Sequence, residues 1–355
     1  MALRDNRGRM RTVSDSLPGI DLAKALASQV ILWHHFALYG PMSATVAPLA
    51  ADFWDWVAGP LRWAVQVFLV TGGYLAARSL LPAPWAPRPG GGAGRWLQRL
   101  HQRTLRLGQP FWLAMLLAIA AAALARQLIS DSDTPAAPTL AQTLAHAVFL
   151  QDIVGQPALS AGVWYVAIDW QLYALLATLV ALLGSGWLAA AAVSVLTVLS
   201  IFWLNRIDAG DVWAPYFMAA YGLGVMAWWV SSQTRRWPGT LLIALLVVAG
   251  LFIEWRPRLA LAGLTAGWLA LGGAAWPLVG MRLRGAVAAL ARWSYAVFLL
   301  HYPVVLAVGA LVAWWWPGQL VPAIAGLLAS WALSIALGAG LTEWLTPRET
   351  PKGKP

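Results

Sequence analysis

The sequence predicts an all-α protein, a polytopic transmembrane helix bundle of about ten spans, and three observations predict it. Hydrophobic residues make up 60% of the chain and charged residues only 11%, with a mean hydropathy of +0.65, far outside the usage of soluble domains. The apolar residues fall in blocks of roughly 17 to 25, the length a helix needs to cross about 30 Å of hydrocarbon. Lys and Arg collect in alternate connections, as they do in the cytoplasmic loops of membrane proteins. Lipid offers no water to backbone N–H and C=O groups, so the blocks must satisfy themselves as helices.

Taken in order, the candidate spans are 19–39, 57–80, 107–128, 161–183, 187–204, 212–231, 239–254, 259–279, 292–314 and 319–344. A basic segment, 1–18, precedes the first. That first block is too long for a signal-peptide core and no small-residue cleavage site follows it, so it is expected to be retained. The second and third spans are joined by the Pro- and Gly-rich stretch 82–94, a flexible link. The apolar stretch 140–151, in the long connection 129–160, reads as a dip into the interface. The tail is 345–355, so the chain divides into a basic N-terminal segment, one membrane domain over 19–344, and a short tail.

With the N-terminus inside, most of the 24 Lys and Arg fall on the cytoplasmic side, and only Arg62, Arg126, Arg206, Arg256 and Arg258 fall outside. Asp52, Asp55, Asp131, Asp133, Asp152, Asp208 and Asp211 all lie on the outer side. The expected location is the inner or plasma membrane, with both termini cytoplasmic. The net charge of +10 then belongs to faces that meet anionic lipid, and nucleic-acid binding is not needed to explain it. The chain has no Cys, hence no disulfide framework, thiolate nucleophile or Cys-ligated metal. The 24 Trp cluster near span ends, where an amphipathic ring sits well at headgroup level.

The functional information lies in polar residues that hydrocarbon should reject. Asp21, Lys24, Ser28 and His35 occupy the first span, and Lys24 and His35, eleven residues apart, share a face about 16 Å apart along the axis. Ionisable groups inside a span usually face the bundle interior or a wet cavity, which makes the stripe a site candidate; the plainer alternative is interfacial snorkelling with an interhelical hydrogen bond from His35. His34 sits off the stripe, and which of the two histidines acts as a base is open. Tyr165, Asp169 and Tyr173 form a second stripe at helical spacing, and a carboxylate there needs a partner. Estimated depths allow Asp169 to pair with His35 and fix its tautomer. Arg95, Arg99, Arg103 and Arg106 line one side of an amphipathic helix, suited either to anionic headgroups or to a phosphate group. His301 and Tyr302 precede Pro303, and His301 reads as catalytic or as a satisfied core histidine. His101 and His146 read as interfacial. No zinc-protease spacing, Gly-x-Ser-x-Gly elbow or Walker loop is present.

These residues carry a resemblance. Pro18-Gly19-Ile20-Asp21-Leu22-Ala23-Lys24 with Trp33-His34-His35 resembles the opening span of the membrane acyltransferase 3 family, which pairs a basic residue with a His eleven positions later. Val67-Phe68-Leu69-Val70-Thr71-Gly72-Gly73-Tyr74, Arg103-Thr104-Leu105-Arg106, Trp164 to Tyr173, and Ser294 to Pro303 are similar to four further family motifs, in the family's order. Asp169 stands where Glu is usual, and Thr71-Gly72-Gly73 replaces Ser-Gly-Phe.

The resemblance implies transfer of an acyl group from cytoplasmic acyl-CoA, acetyl-CoA or a related thioester, to a hydroxyl of a carbohydrate or other envelope component. It implies His35 as general base with Asp169 orienting it, and Lys24, Arg99, Arg103 and Arg106 holding the donor. Asp21, His34, Trp164, Tyr173, His301 and Tyr302 are expected to line the site. Acyl-CoA, a hydroxyl-bearing acceptor and membrane lipids are the expected partners, with no permanently bound cofactor and no metal. The rival reading is a proton-coupled transporter or a flippase, since Asp, Lys and His in a bundle also serve ion pathways.

Overall fold

The structure is a computed structural model that describes residues 3–4, 10–11, 17–81, 92–131, 134–277 and 281–346. The link at 82–91, most of the N-terminal segment and nearly all of the tail lie outside the described residues. Apart from a two-residue antiparallel pairing of Leu3–Arg4 with Met10–Arg11, the regular structure among the described residues is helical. The α-helices are α1 (Pro18–Leu38), α2 (Pro41–Val46), α3 (Ala51–Ala58), α4 (Val65–Leu80), α5 (Ala93–Leu128), α6 (Leu140–Ala147), α7 (Val163–Leu183), α8 (Trp187–Phe202), α9 (Ala214–Ser231), α10 (Trp237–Ile253), α11 (Pro257–Ala270), α12 (Met281–Trp315) and α13 (Leu320–Leu345).

Each predicted span falls on a helix, with two departures. Of the block at 259–279 only the part up to Ala270 is α-helical; a turn and a short 3₁₀ segment follow, and 278–279 lie outside the described residues. The block at 57–80 breaks into α3, a 3₁₀ segment over Pro60–Ala64, and α4, because Gly59 leaves helical geometry and Pro60 has no N–H to continue the ladder. The stretch expected to dip into the interface is α6 and the turn after it. By length and composition five helices can cross a membrane: Ala93–Leu128, Val163–Leu183, Trp187–Arg206, Leu283–Trp315 and Leu320–Leu345. The expected ten is therefore met by five helices of spanning length and apolarity. Of the others, α4, α10 and α11 are shorter, and α1 carries Asp21, Lys24, His34 and His35.

The chain forms two units. Unit one comprises 1–27, 63–100 and 171–291, and unit two 28–62, 101–170 and 292–355. In unit one α9 is the centre: every residue from Tyr216 to Val225 is buried, as expected of a helix that is apolar all round. It packs against α4, α8 and α11. A Cβ on Gly73 would fall on the carbonyl of Tyr221, one on Gly224 on the carbonyl of Val70, and one on Gly222 on the hydroxyl of Thr197. Small residues let these backbones touch, the usual means of helix association where lipid removes a hydrophobic driving force. The start of α9 is pinned by polar groups. Ser200 donates to the Tyr216 carbonyl over 2.8 Å, Asn205 donates to the same oxygen over 3.1 Å, and Arg256 donates to Asn205 Oδ1 over 3.0 Å and to the Ile201 carbonyl over 2.7 Å.

In unit two α12 has two working faces. One packs Val297 and Val305 against Leu32 and Phe36 of α1, Met42 and Val46 of α2, and Ala323 and Leu327 of α13. The other sets Tyr302, Leu306 and Ala310 on Ala121, Ala122 and Ala125 of α5. Gly40, at φ +88°, makes the turn that lets α2 begin at once with Pro41. The connection ahead of α7 is folded by α6, which a Thr139/Gln142 capping box starts. Gln142 Nε2 donates to the Pro157 carbonyl over 2.7 Å. His146 is buried: its Nδ1–H donates to the Gln142 carbonyl over 2.8 Å and its Nε2 accepts the Leu159 N–H over 3.2 Å.

Candidate functional site

Near its C-terminal end α1 carries His34 and His35, adjacent and therefore about 100° apart around the helix. Both are buried. His34 Nδ1–H donates over 3.3 Å to the carbonyl of Val57 in α3, a tether between the two helices. His35 turns to α12, where its Nδ1 lies 2.7 Å from Nε2 of His301. The ring planes are 9° from parallel and the centroids 4.8 Å apart. With the nitrogens at 2.7 Å, that separation describes two nearly parallel rings that meet edge to edge through these nitrogens rather than face to face. The far nitrogen of His301, Nδ1, donates to the carbonyl of Phe298 one turn back along α12.

Aromatic rings and one glycine enclose the pair. Phe298 lies 5.8 Å from His301 and 5.7 Å from Tyr165, while Tyr39 lies 6.0 Å from His35 and 5.3 Å from Tyr302. Gly162, just before α7, has φ +76°; a Cβ there would stand 2.7 Å from Phe298 Cζ and 3.3 Å from His35 Cε1. The backbone thus passes directly against the imidazole, at a position where both conformation and space call for glycine.

A buried ion pair joins two other helices, α5 and α7. Arg103 of α5 donates through Nη2 to Asp169 Oδ2 of α7, with side chains only 19% and 8% exposed. The next residue of each helix bonds as well, Trp170 Nε1 to Thr104 Oγ1 over 2.9 Å, and Tyr295 of α12 donates to the Leu107 carbonyl over 2.9 Å. Tyr295, Phe298 and His301 form a stripe on α12 that spans about 9 Å of helix between the ion-pair level and the imidazoles.

Asp169 was expected to orient His35, and the structure corrects this: the carboxylate is bonded to Arg103, and His35 to His301. Asp169 lies seven residues beyond Gly162, about 10 Å along α7, too far for a short carboxylate to reach the imidazole. Arg103 was expected among the donor-holding cations; its guanidinium is committed to Asp169, while Arg106 is exposed. Trp164 is half-buried against Tyr165, and Tyr302 is buried in the α5–α12 core. Asp21, Lys24, Arg99 and Tyr173 belong to unit one, the first three half-buried and Tyr173 buried. Among the described residues no group of three or more metal-ligating side chains converges. Phe298 and Tyr295 carried no signal of their own beyond membership of a quoted string, and Gly162 none beyond its place at the start of the span 161–183.

A family model described as an acyltransferase domain matches residues 17–339, nearly the whole chain. The chain belongs to the acyltransferase 3 family. No curated protein and no solved structure matches it. The matched range contains both the histidine pair and the ion pair, so this acyltransferase 3 protein holds its polar cluster within the family domain. Its long apolar helices make it a membrane acyltransferase by class.

Proposed function

We propose that this chain is an integral membrane O-acyltransferase, with about ten spans and both termini cytoplasmic, that moves an acyl group, acetyl in the first instance, from cytoplasmic acyl-CoA to a hydroxyl of a carbohydrate or other envelope component. The observation that carries this reading is His35, a buried imidazole whose Nδ1 is held by a second imidazole while Gly162 brings backbone against its edge. A base held in one orientation inside a helix bundle fits proton transfer at a hydroxyl. His34 is the weaker candidate because its bond to Val57 ties α1 to α3.

The chemistry balances with this one group. His35 takes the acceptor hydroxyl proton as the oxygen attacks the thioester carbonyl; the new C–O ester bond forms, the C–S bond breaks, and the proton passes to the departing CoA sulfur. No covalent enzyme intermediate is required. Arg106, on the basic stretch of α5, grips the CoA phosphates, with a planar fork suited to two bonds per phosphate. Arg103 contributes by holding α5 to α7 through Asp169.

The test is thiol release from acetyl-CoA by purified full-length protein offered a panel of hydroxyl acceptors, alongside mass spectrometry of envelope glycans and lipids from cells with and without the gene. Acceptor-dependent release that falls at least about 100-fold in His35→Ala and survives in His34→Ala is expected. No release with any acceptor, together with no acyl mass lost from the envelope, would favour a carrier instead.

A further inference from the structure

We infer that His301 is the positioning residue of the site: through the Phe298 carbonyl it sets the tautomer of His35, so that Nε2 of His35 is the nitrogen that takes the substrate proton. The inference rests on the reading of His35 as the base, and adds the group that aims it.

The argument is one of donors and acceptors. A backbone carbonyl only accepts, so the contact between His301 Nδ1 and Phe298 O places the proton on Nδ1. A neutral ring with its proton on Nδ1 offers only a lone pair at Nε2. That lone pair meets His35 Nδ1 at 2.7 Å, so His35 Nδ1 must supply the hydrogen. His35 then keeps its own lone pair on Nε2, the nitrogen of the pair that no hydrogen bond among the described residues engages. A single backbone oxygen thus propagates through two rings to fix which edge of His35 is basic.

The arrangement also stabilises the charged state that catalysis creates. When Nε2 takes a proton, His35 becomes an imidazolium whose Nδ1–H already points at the His301 lone pair, and a hydrogen bond from a charged donor is stronger than one from a neutral donor. Pro303, two residues on, has no N–H, and α12 runs through it without a break, so the turn holding His301 lies beside the one place in that helix where the ladder lacks a donor. The Phe298 carbonyl satisfies only the Nδ1–H of His301 and leaves the Nε2 lone pair to be met. That His35 is what meets it makes His301 part of the site.

The test uses full-length protein in nanodiscs with ¹⁵N-labelled histidine, each of its five histidines assigned by single substitution. Imidazole ¹⁵N shifts are expected to show His35 and His301 both protonated on Nδ1 in the unmodified protein. His301→Phe, which keeps a ring and removes the acceptor, is expected to mix the tautomers of His35 and to lower kcat for acyl transfer by about 100-fold with KM for acyl-CoA unchanged. His301→Gln, whose Oε1 sits where Nε2 sat, is expected to restore the Nδ1–H tautomer and at least a tenth of the rate. An unmodified His35 protonated on Nε2 overturns the inference whatever the variants do, and so does a His301→Phe protein with unaltered kcat. If no acyl transfer is found at all, the ¹⁵N shifts still decide the tautomer, so failure of the activity and failure of the relay remain separate results.

Discussion

Asp169 shows how one residue changes meaning between sequence and structure. Its carboxylate and the guanidinium of Arg103 are nearly enclosed, and a buried charge left without its partner keeps the full desolvation cost with no attraction to offset it. Asp169→Ala is therefore expected to destabilise the protein by about 3–5 kcal/mol, read by unfolding in mixed micelles, whereas Asp169→Leu with Arg103→Met should recover most of the loss. If the single variant unfolds like the parent, the pair is solvated and does not brace α5 against α7. The need for a partner was legible in the sequence, because a carboxylate on a helical stripe inside a span cannot stay unpaired. The identity of the partner was not. Spacing along one helix fixes which residues share a face, but the register between helices is set by packing, and an error of two turns in relative depth exchanges His35 for Arg103. The same limit hid the link between His35 and His301, residues whose separation in sequence, 266 positions, no local pattern can bridge.

At the scale of elements, glycine and histidine do work that composition conceals. The crossing of α4 and α9 depends on Gly73 and Gly224; in sequence Gly72 and Gly73 allow close packing or a ligand alike, and nothing there names the helix that approaches. The connection before α7 depends on His146, whose two ring nitrogens join α6 to Leu159, three residues from the glycine against His35. Burial holds the His146 pKa below the ordinary imidazole value of 6.5, the nearby charge of Asp152 and the bond to Gln142 opposing without reversing it. A folded-state pKa below the unfolded one means that the unfolded chain binds the proton more readily. The stability His146 contributes is thus full above about pH 6.5 and is lost as pH falls toward its lower folded value. Protonated Nε2 can no longer accept from Leu159. Hydrogen exchange at the Leu159 amide, corrected for its intrinsic pH dependence, is therefore expected to be markedly faster at about pH 5 than at about pH 7.5, and to lose that difference in His146→Phe. Equal protection at both pH values would show that the segment is held by other contacts.

For the molecule as a whole, the helical class was written in composition and block length, signals that need no knowledge of contacts. How many helices cross is harder, because the same polar residues that build a site lower the apolarity of the helix that bears them: α1 holds Asp21, Lys24, His34 and His35, and α4, α10 and α11 are shorter than a bilayer is thick. Length alone therefore divides the helices where function need not. Charge offers the independent measure. If the chain crosses at each predicted span with the N-terminus inside, the connection after α8 faces outward and the one after α9, followed by Arg235 and Arg236, faces the cytoplasm. The chain has no Cys, so one introduced thiol at a time reports its own side. Ala209→Cys and Ser232→Cys place that thiol at exposed positions in these two connections. A membrane-impermeant maleimide added to intact cells or spheroplasts is expected to label the first and to reach the second only after the membrane is opened. Labelling of both from outside would mean that α9 does not cross, and the buried helix at the centre of unit one would then be a re-entrant or peripheral element rather than a span.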